Sequence, residues 1–160
     1  DAGPTGRGLA DDPKKGVESA EGYEKGQHAY HTTMPTDALV RLRDVMLETR
    51  AYGFAKVRDE QIALGTQVRA LLESRGFPSV AADGFKAPGV VVSYTTDPGI
   101  QNASKFAAVG LQTAAGVPLQ CDEGADFKTF RIGLFGLEKW HNVDRTVGHL
   151  TKALDQIAAG

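Results

Sequence analysis

With 160 residues, 41% of them hydrophobic, and a formal net charge of -2, the chain has the make-up of an ordinary globular protein able to bury one sizeable core. Its 18 basic residues are spread rather than clustered, which argues against nucleic acid as a partner. No apolar run approaches the roughly 18 residues of a membrane span and no signal-like segment is visible, while the single cysteine, Cys121, allows no internal disulfide. A cytoplasmic protein that engages no membrane is the expectation. The chain opens at Asp1 rather than at methionine, which points to processing or to a piece of something longer.

Residues 1–27 hold six of the 19 glycines and almost no large apolar side chain. Such a segment cannot bury enough surface to offset its ordering entropy, so a surface-hugging or disordered arm is expected there. Residues 28–53 form a linking segment and a long helix. The link carries Tyr30-His31-Thr32-Thr33 just before Pro35, a polar turn rich in hydrogen-bond donors. That chemistry suits a phosphate, and it equally suits local capping. His28 and His31 are spaced like a metal pair, but no cysteine or carboxylate cluster completes a site, so no metal is expected. Thr36 or Asp37 caps the helix, and Leu39, Leu42, Val45 and Met46 give it one apolar face.

The domain proper is expected over residues 54–160. Gly53 predicts a break, after which Leu64, Val68, Leu71 and Leu72 pattern a second helix to about Ser74, closed by Gly76 and Pro78. Residues 79–82 read as a short edge strand and residues 89–94 as the clearest strand of the chain. A helix is predicted from Asn102 to about Ala115, weakened by Gly110 and stopped by Gly116, followed by a short edge strand over residues 117–121.

Residues 127–136, Phe-Lys-Thr-Phe-Arg-Ile-Gly-Leu-Phe-Gly, read as a strand of a buried sheet, and Arg131 is the anomaly within it. A guanidinium cannot be neutralised, so an arginine in an apolar strand calls for an anion, and a carboxylate matches its planar fork bidentately. Either the domain supplies that carboxylate, or a substrate does, or the arginine reaches solvent at an edge. Asn142 then caps a final helix whose Val143, Val147, Leu150, Leu154 and Ile157 fall at helical spacing. The fold class that results is α/β: a small sheet covered mainly on one face by helices, in two layers.

Arg131-Ile132-Gly133-Leu134-Phe135-Gly136 followed by Asn142-Val143-Asp144-Arg145 resembles the C-terminal small domain of the class V, fold-type-I aminotransferases, the alanine-glyoxylate and serine-glyoxylate group in particular. The resemblance covers about residues 28–158 and implies a small, mainly antiparallel sheet with helices mostly on one face. It implies that Arg131 binds the substrate carboxylate. It also implies that Tyr30 and Thr33 reach the phosphate of pyridoxal 5'-phosphate held by the neighbouring subunit of a homodimer. Thr32 stands where the family usually carries a second histidine. The Schiff-base lysine belongs to a large domain that these residues do not include, so no catalytic residue is expected in the chain. The implied activity is amino transfer between an amino acid of alanine or serine type and a 2-oxo acid of glyoxylate type. The competing expectation is a non-catalytic α/β ligand-binding or interaction module, or a carboxylate sensor, in which Arg131 works without a cofactor.

Overall fold

The computed structural model describes residues 13–28, 35–120 and 122–159. The chain divides into two compact units, Asp1–Met46 and Leu47–Gly160.

In the first unit, where composition predicts a surface-hugging or disordered arm, Pro13–Glu24 form helix α1. Proline suits a first helical position, and Lys14, Glu18, Ala20 and Glu21 are strong helix formers that outweigh Gly16 and Gly22. Glu21 and Lys25 face each other one turn apart at 3.9 Å. Helix α2 spans Thr36–Tyr52, as expected, and the boundary between the units falls within it, so that Leu47 to Tyr52 belong to the second. Its apolar face exists but none of its residues is buried: Leu39, Leu42 and Met46 remain 46%, 55% and 60% exposed.

The second unit is built around α3, Phe54–Ser74, which starts after Gly53 at φ 106°. Its end is a Schellman motif: Phe77 N–H donates to Leu72 O (2.9 Å) and Gly76 N–H to Glu73 O (3.1 Å), with Gly76 at φ 82°. Leu64, Val68 and Leu72 are fully buried, as the helical spacing predicts. Strand β1, Val90–Tyr94, follows. Residues 79–82 do not form a strand of their own; they follow β1 through one bridge, Ser79 to Ser93, and the Val80 N–H to Val92 O bond.

The helix expected over residues 102–115 is replaced by two short ones, α4 (Pro98–Gln101) and α5 (Ser104–Ala108). Asp97 starts α4 by accepting hydrogen bonds from Gly99 and Ile100 N–H (2.7 and 3.3 Å). Ala103 at φ 65° and Gly110 at φ 78° then break the helical path on either side of α5. The strand that follows, β2, is Ala114–Ala115 rather than residues 117–121. Pro118 cannot donate to a ladder, and Gln120 at φ 58° turns away from extended geometry.

Strand β3, Thr129–Gly133, lies between the other two in an antiparallel sheet of order β1-β3-β2. In register, Val91 faces Ile132 and Ser93 faces Phe130, while Val92 and Ala114 flank Arg131. A short helix α6, Leu137–Trp140, precedes α7, Val143–Ala159. Asn142 holds the junction: its carbonyl accepts from Thr146 N–H at 2.9 Å and its side-chain amide donates back to Glu138 O at 3.1 Å. The inner face of the sheet closes on α3, α5 and α7 over Val91, Phe106, Phe130, Ile132, Leu150 and Leu154. Phe130 is fully buried and meets Phe77 edge-on (5.3 Å) and Phe106 at a tilt (5.5 Å). The architecture is the expected α/β one, with an antiparallel sheet.

Candidate functional site

Alternation along β3 sends Phe130 and Ile132 into the core, so Arg131 emerges on the opposite face of the sheet with Thr129 and Gly133. Its Nε donates to Ala115 O at 3.0 Å. That bond fixes the plane of the guanidinium against β2. Among the described residues the two terminal nitrogens have no hydrogen-bond or ion-pair partner, so the paired donors that match a carboxylate stay available. The side chain is partly exposed, which lets the charge stay solvated.

The neighbour two residues on is Gly133, which offers no side chain beside the guanidinium. A Cβ placed there would stand 3.6 Å from the Phe135 ring, and one on Gly89 across the sheet would come within 2.8 Å of it. The turn beyond is braced from three directions. Lys139 Nζ donates to Phe135 O (2.8 Å), Trp140 Nε1 to Leu134 O (3.1 Å) and to Gln61 Oε1 (2.7 Å), and Gln61 Nε2 to Pro88 O (3.0 Å). Gly136 at φ 105° completes the bend into α6. The strand therefore presents Arg131 from a rigid frame, which limits the entropy lost when an anion binds.

Tyr30 and Thr33, with Thr32 and His31, lie outside the described residues, so the structure does not place the expected phosphate turn beside Arg131 or elsewhere. Five described lysines are already engaged: Lys25 with Glu21, Lys56 with the Tyr52 ring and Glu60, Lys86 with Asp83 and Glu73, Lys105 with Asp97, and Lys139 with a carbonyl. This donor set is a carboxylate fork and does not fit a pyridoxal phosphate cradle by itself. No cluster of three or more metal-ligating side chains occurs among the described residues. None of the helices described is long and apolar enough to cross a membrane.

A second polar cluster escaped the sequence reading. Tyr52 Oη donates to Glu60 Oε1 at 2.6 Å, and the Tyr52 ring lies 4.0 Å from that of His141. These contacts tie the last residue of α2 to α3 and to the residue after α6. The i,i+4 placement of Lys56 and Glu60 was legible in principle, but the partner that follows α6, His141, was not, because it depends on tertiary packing.

No protein-family model matches the chain, and no curated protein sequence matches it. Solved structures do. One is the alanine-glyoxylate aminotransferase of Nostoc sp., 18% identical, aligned over 89% of this chain and 36% of that one with a TM-score of 0.68. Another is the ureidoglycine-glyoxylate aminotransferase of Bacillus subtilis, 23% identical over 90% of this chain and 37% of that one, with a TM-score of 0.60. The chain has the fold of a segment of these aminotransferases. It spans a little over a third of their length, and at these identities the likeness concerns architecture.

Proposed function

We propose that the chain is the substrate-carboxylate-binding portion of a pyridoxal-phosphate-dependent aminotransferase that moves an amino group between an alanine- or serine-type amino acid and a glyoxylate-type 2-oxo acid. The observation that carries this reading is the state of Arg131: anchored through Nε to Ala115 O, with both terminal nitrogens unpartnered among the described residues. No carboxylate among the described residues occupies this fork, which suits a small acid that brings its own.

In this reading Arg131 binds and orients both substrates by their common carboxylate, a positioning role that converts binding into alignment of the reacting carbon. Gly133 puts no side chain of its own beside the guanidinium, and the Phe135 ring lies next to it. Tyr30 and Thr33 contribute to a phosphate site completed across a homodimer, and the Schiff-base lysine is supplied by a large domain from the rest of a longer polypeptide. The chain's own residues perform no proton transfer.

The test is made in the complete product of the reading frame. Arg131→Lys keeps the charge but loses the fork, so the KM for the amino acid and for the 2-oxo acid rises together while cofactor retention changes little. Tyr30→Ala and Thr33→Ala do the reverse, weakening cofactor binding more than substrate choice. Unchanged KM in Arg131→Lys, or a reading frame without a lysine-bearing domain, would overturn the assignment and favour a free-standing binding module.

A further inference from the structure

A cleft of about 430 Å³ opens on the inner side of the sheet, between the end of β3, residues 111–113 and α7. Its volume falls within the range of small-molecule sites, roughly 300–1,000 Å³. The floor is apolar and drawn from the core: Val68, Ile132, Leu134 and Leu150 all contribute to it and are all buried. Ile132 points away from the face that carries Arg131, although Gly133, beside Arg131, also lines the cleft at its strand end.

The rim carries the charge. Arg145 is paired with Glu138, and the two cancel. Lys139 is different. Its Nζ has one donor committed to Phe135 O at 2.8 Å and keeps two more, with no carboxylate in contact among the described residues. His149 stands exposed one turn beyond Arg145 on α7. The surplus at the rim is thus one cation above a hydrocarbon floor.

We propose that this cleft binds a small monocarboxylate with an apolar body, its carboxylate on Lys139 Nζ at the rim and its hydrocarbon laid against Ile132, Leu134 and Leu150. Charge complementarity selects the head group: a dianion has no second uncompensated cation to meet, and a cation meets repulsion. The floor selects an unbranched or aromatic body over a compact polar one such as glyoxylate.

The experiment is a methyl-resolved NMR titration of the complete product of the reading frame, isotope-labelled at its Ile, Leu and Val methyls, with 4-phenylbutyrate. Saturable shifts at the Ile132, Leu134 and Leu150 methyls, with a Kd of about 1 mM as fits a ligand of this size, are expected, and Val92 on the far face stays still. Lys139→Met weakens binding roughly tenfold, the worth of one charge-assisted contact. The uncharged 4-phenylbutanamide, titrated into the unmodified chain, loses about as much, which keeps the test independent of how the variant folds. Absence of saturable shifts, shifts centred on Val92, or equal affinity for acid and amide would each overturn the proposal.

Discussion

The two faces of the sheet are made by neighbouring residues of one strand and hold opposite kinds of chemistry. Phe130 and Ile132 close the inner face beneath α3, α5 and α7, and Phe130 retains no exposed surface. Arg131, between them in sequence, stands on the other face beside Gly133 with its terminal nitrogens unpartnered among the described residues. A second arginine sharpens the contrast. Arg69 on α3 is only 6% exposed, donates from Nη2 to Ala87 O at 3.0 Å and has a buried Nε without a partner; burial pushes its pKa down. Arg69 pins the 85–89 segment against α3, whereas Arg131 uses one nitrogen to hold itself against β2 and leaves its two terminal nitrogens unpartnered among the described residues. Under the proposed reading, stability and binding are separable along β3 at single-residue resolution.

The largest expected effect comes from the inner face. Phe130→Ala removes the ring shared by Phe77 and Phe106 and should cost about 3–5 kcal/mol in denaturant unfolding. Next is Gly65→Ala: the added methyl would lie 2.6 Å from Pro88 O, a backbone atom that cannot step aside cheaply, for a loss of about 1–3 kcal/mol. Arg131→Met forfeits one hydrogen bond on the open face and should change stability by no more than about 1 kcal/mol, although it removes the proposed carboxylate fork. A loss as large as that of Phe130→Ala would erase the distinction between the faces.

The smallest effect is electrostatic. The hydrogen bond from Lys105, with those from Gly99 and Ile100 N–H, holds the Asp97 carboxyl below the usual carboxylate range. A depressed folded-state pKa contributes stability above the unfolded value and loses it as pH falls through the folded one. The cap of α4 is therefore at full strength at neutral pH and fades only in acid. Asp97→Asn should lower the unfolding midpoint slightly at neutral pH and converge with the unmodified chain in acid, which flattens that limb in a pH series of unfolding midpoints.

The sequence was informative where periodicity and packing agree. Leu64, Val68 and Leu72 of α3, and Leu150 and Leu154 of α7, went into the core as their spacing requires. It was less informative where short-range conformation decides. Nothing in Asn102-Ala103-Ser104 announces that Ala103 adopts a left-handed conformation, yet that residue divides α4 from α5. Propensity also hid α1, because glycine content masked the Lys, Glu and Ala residues between the glycines. Arg131 was legible because a fixed charge in an apolar strand is costly and conspicuous. Its setting was only half legible: Gly133 shares its face by simple alternation, but the Ala115 carbonyl that grips Nε comes from a two-residue strand that propensity placed three residues too late.

The central claim of the proposed reading is that Arg131 recognises a carboxylate, and the most direct measurement is a comparison of kcat/KM for alanine and for alaninamide in the complete product of the reading frame and its Arg131→Met variant. The account predicts a strong preference for the acid that falls by on the order of a hundredfold when the fork is removed. A preference that survives the substitution unchanged would contradict it.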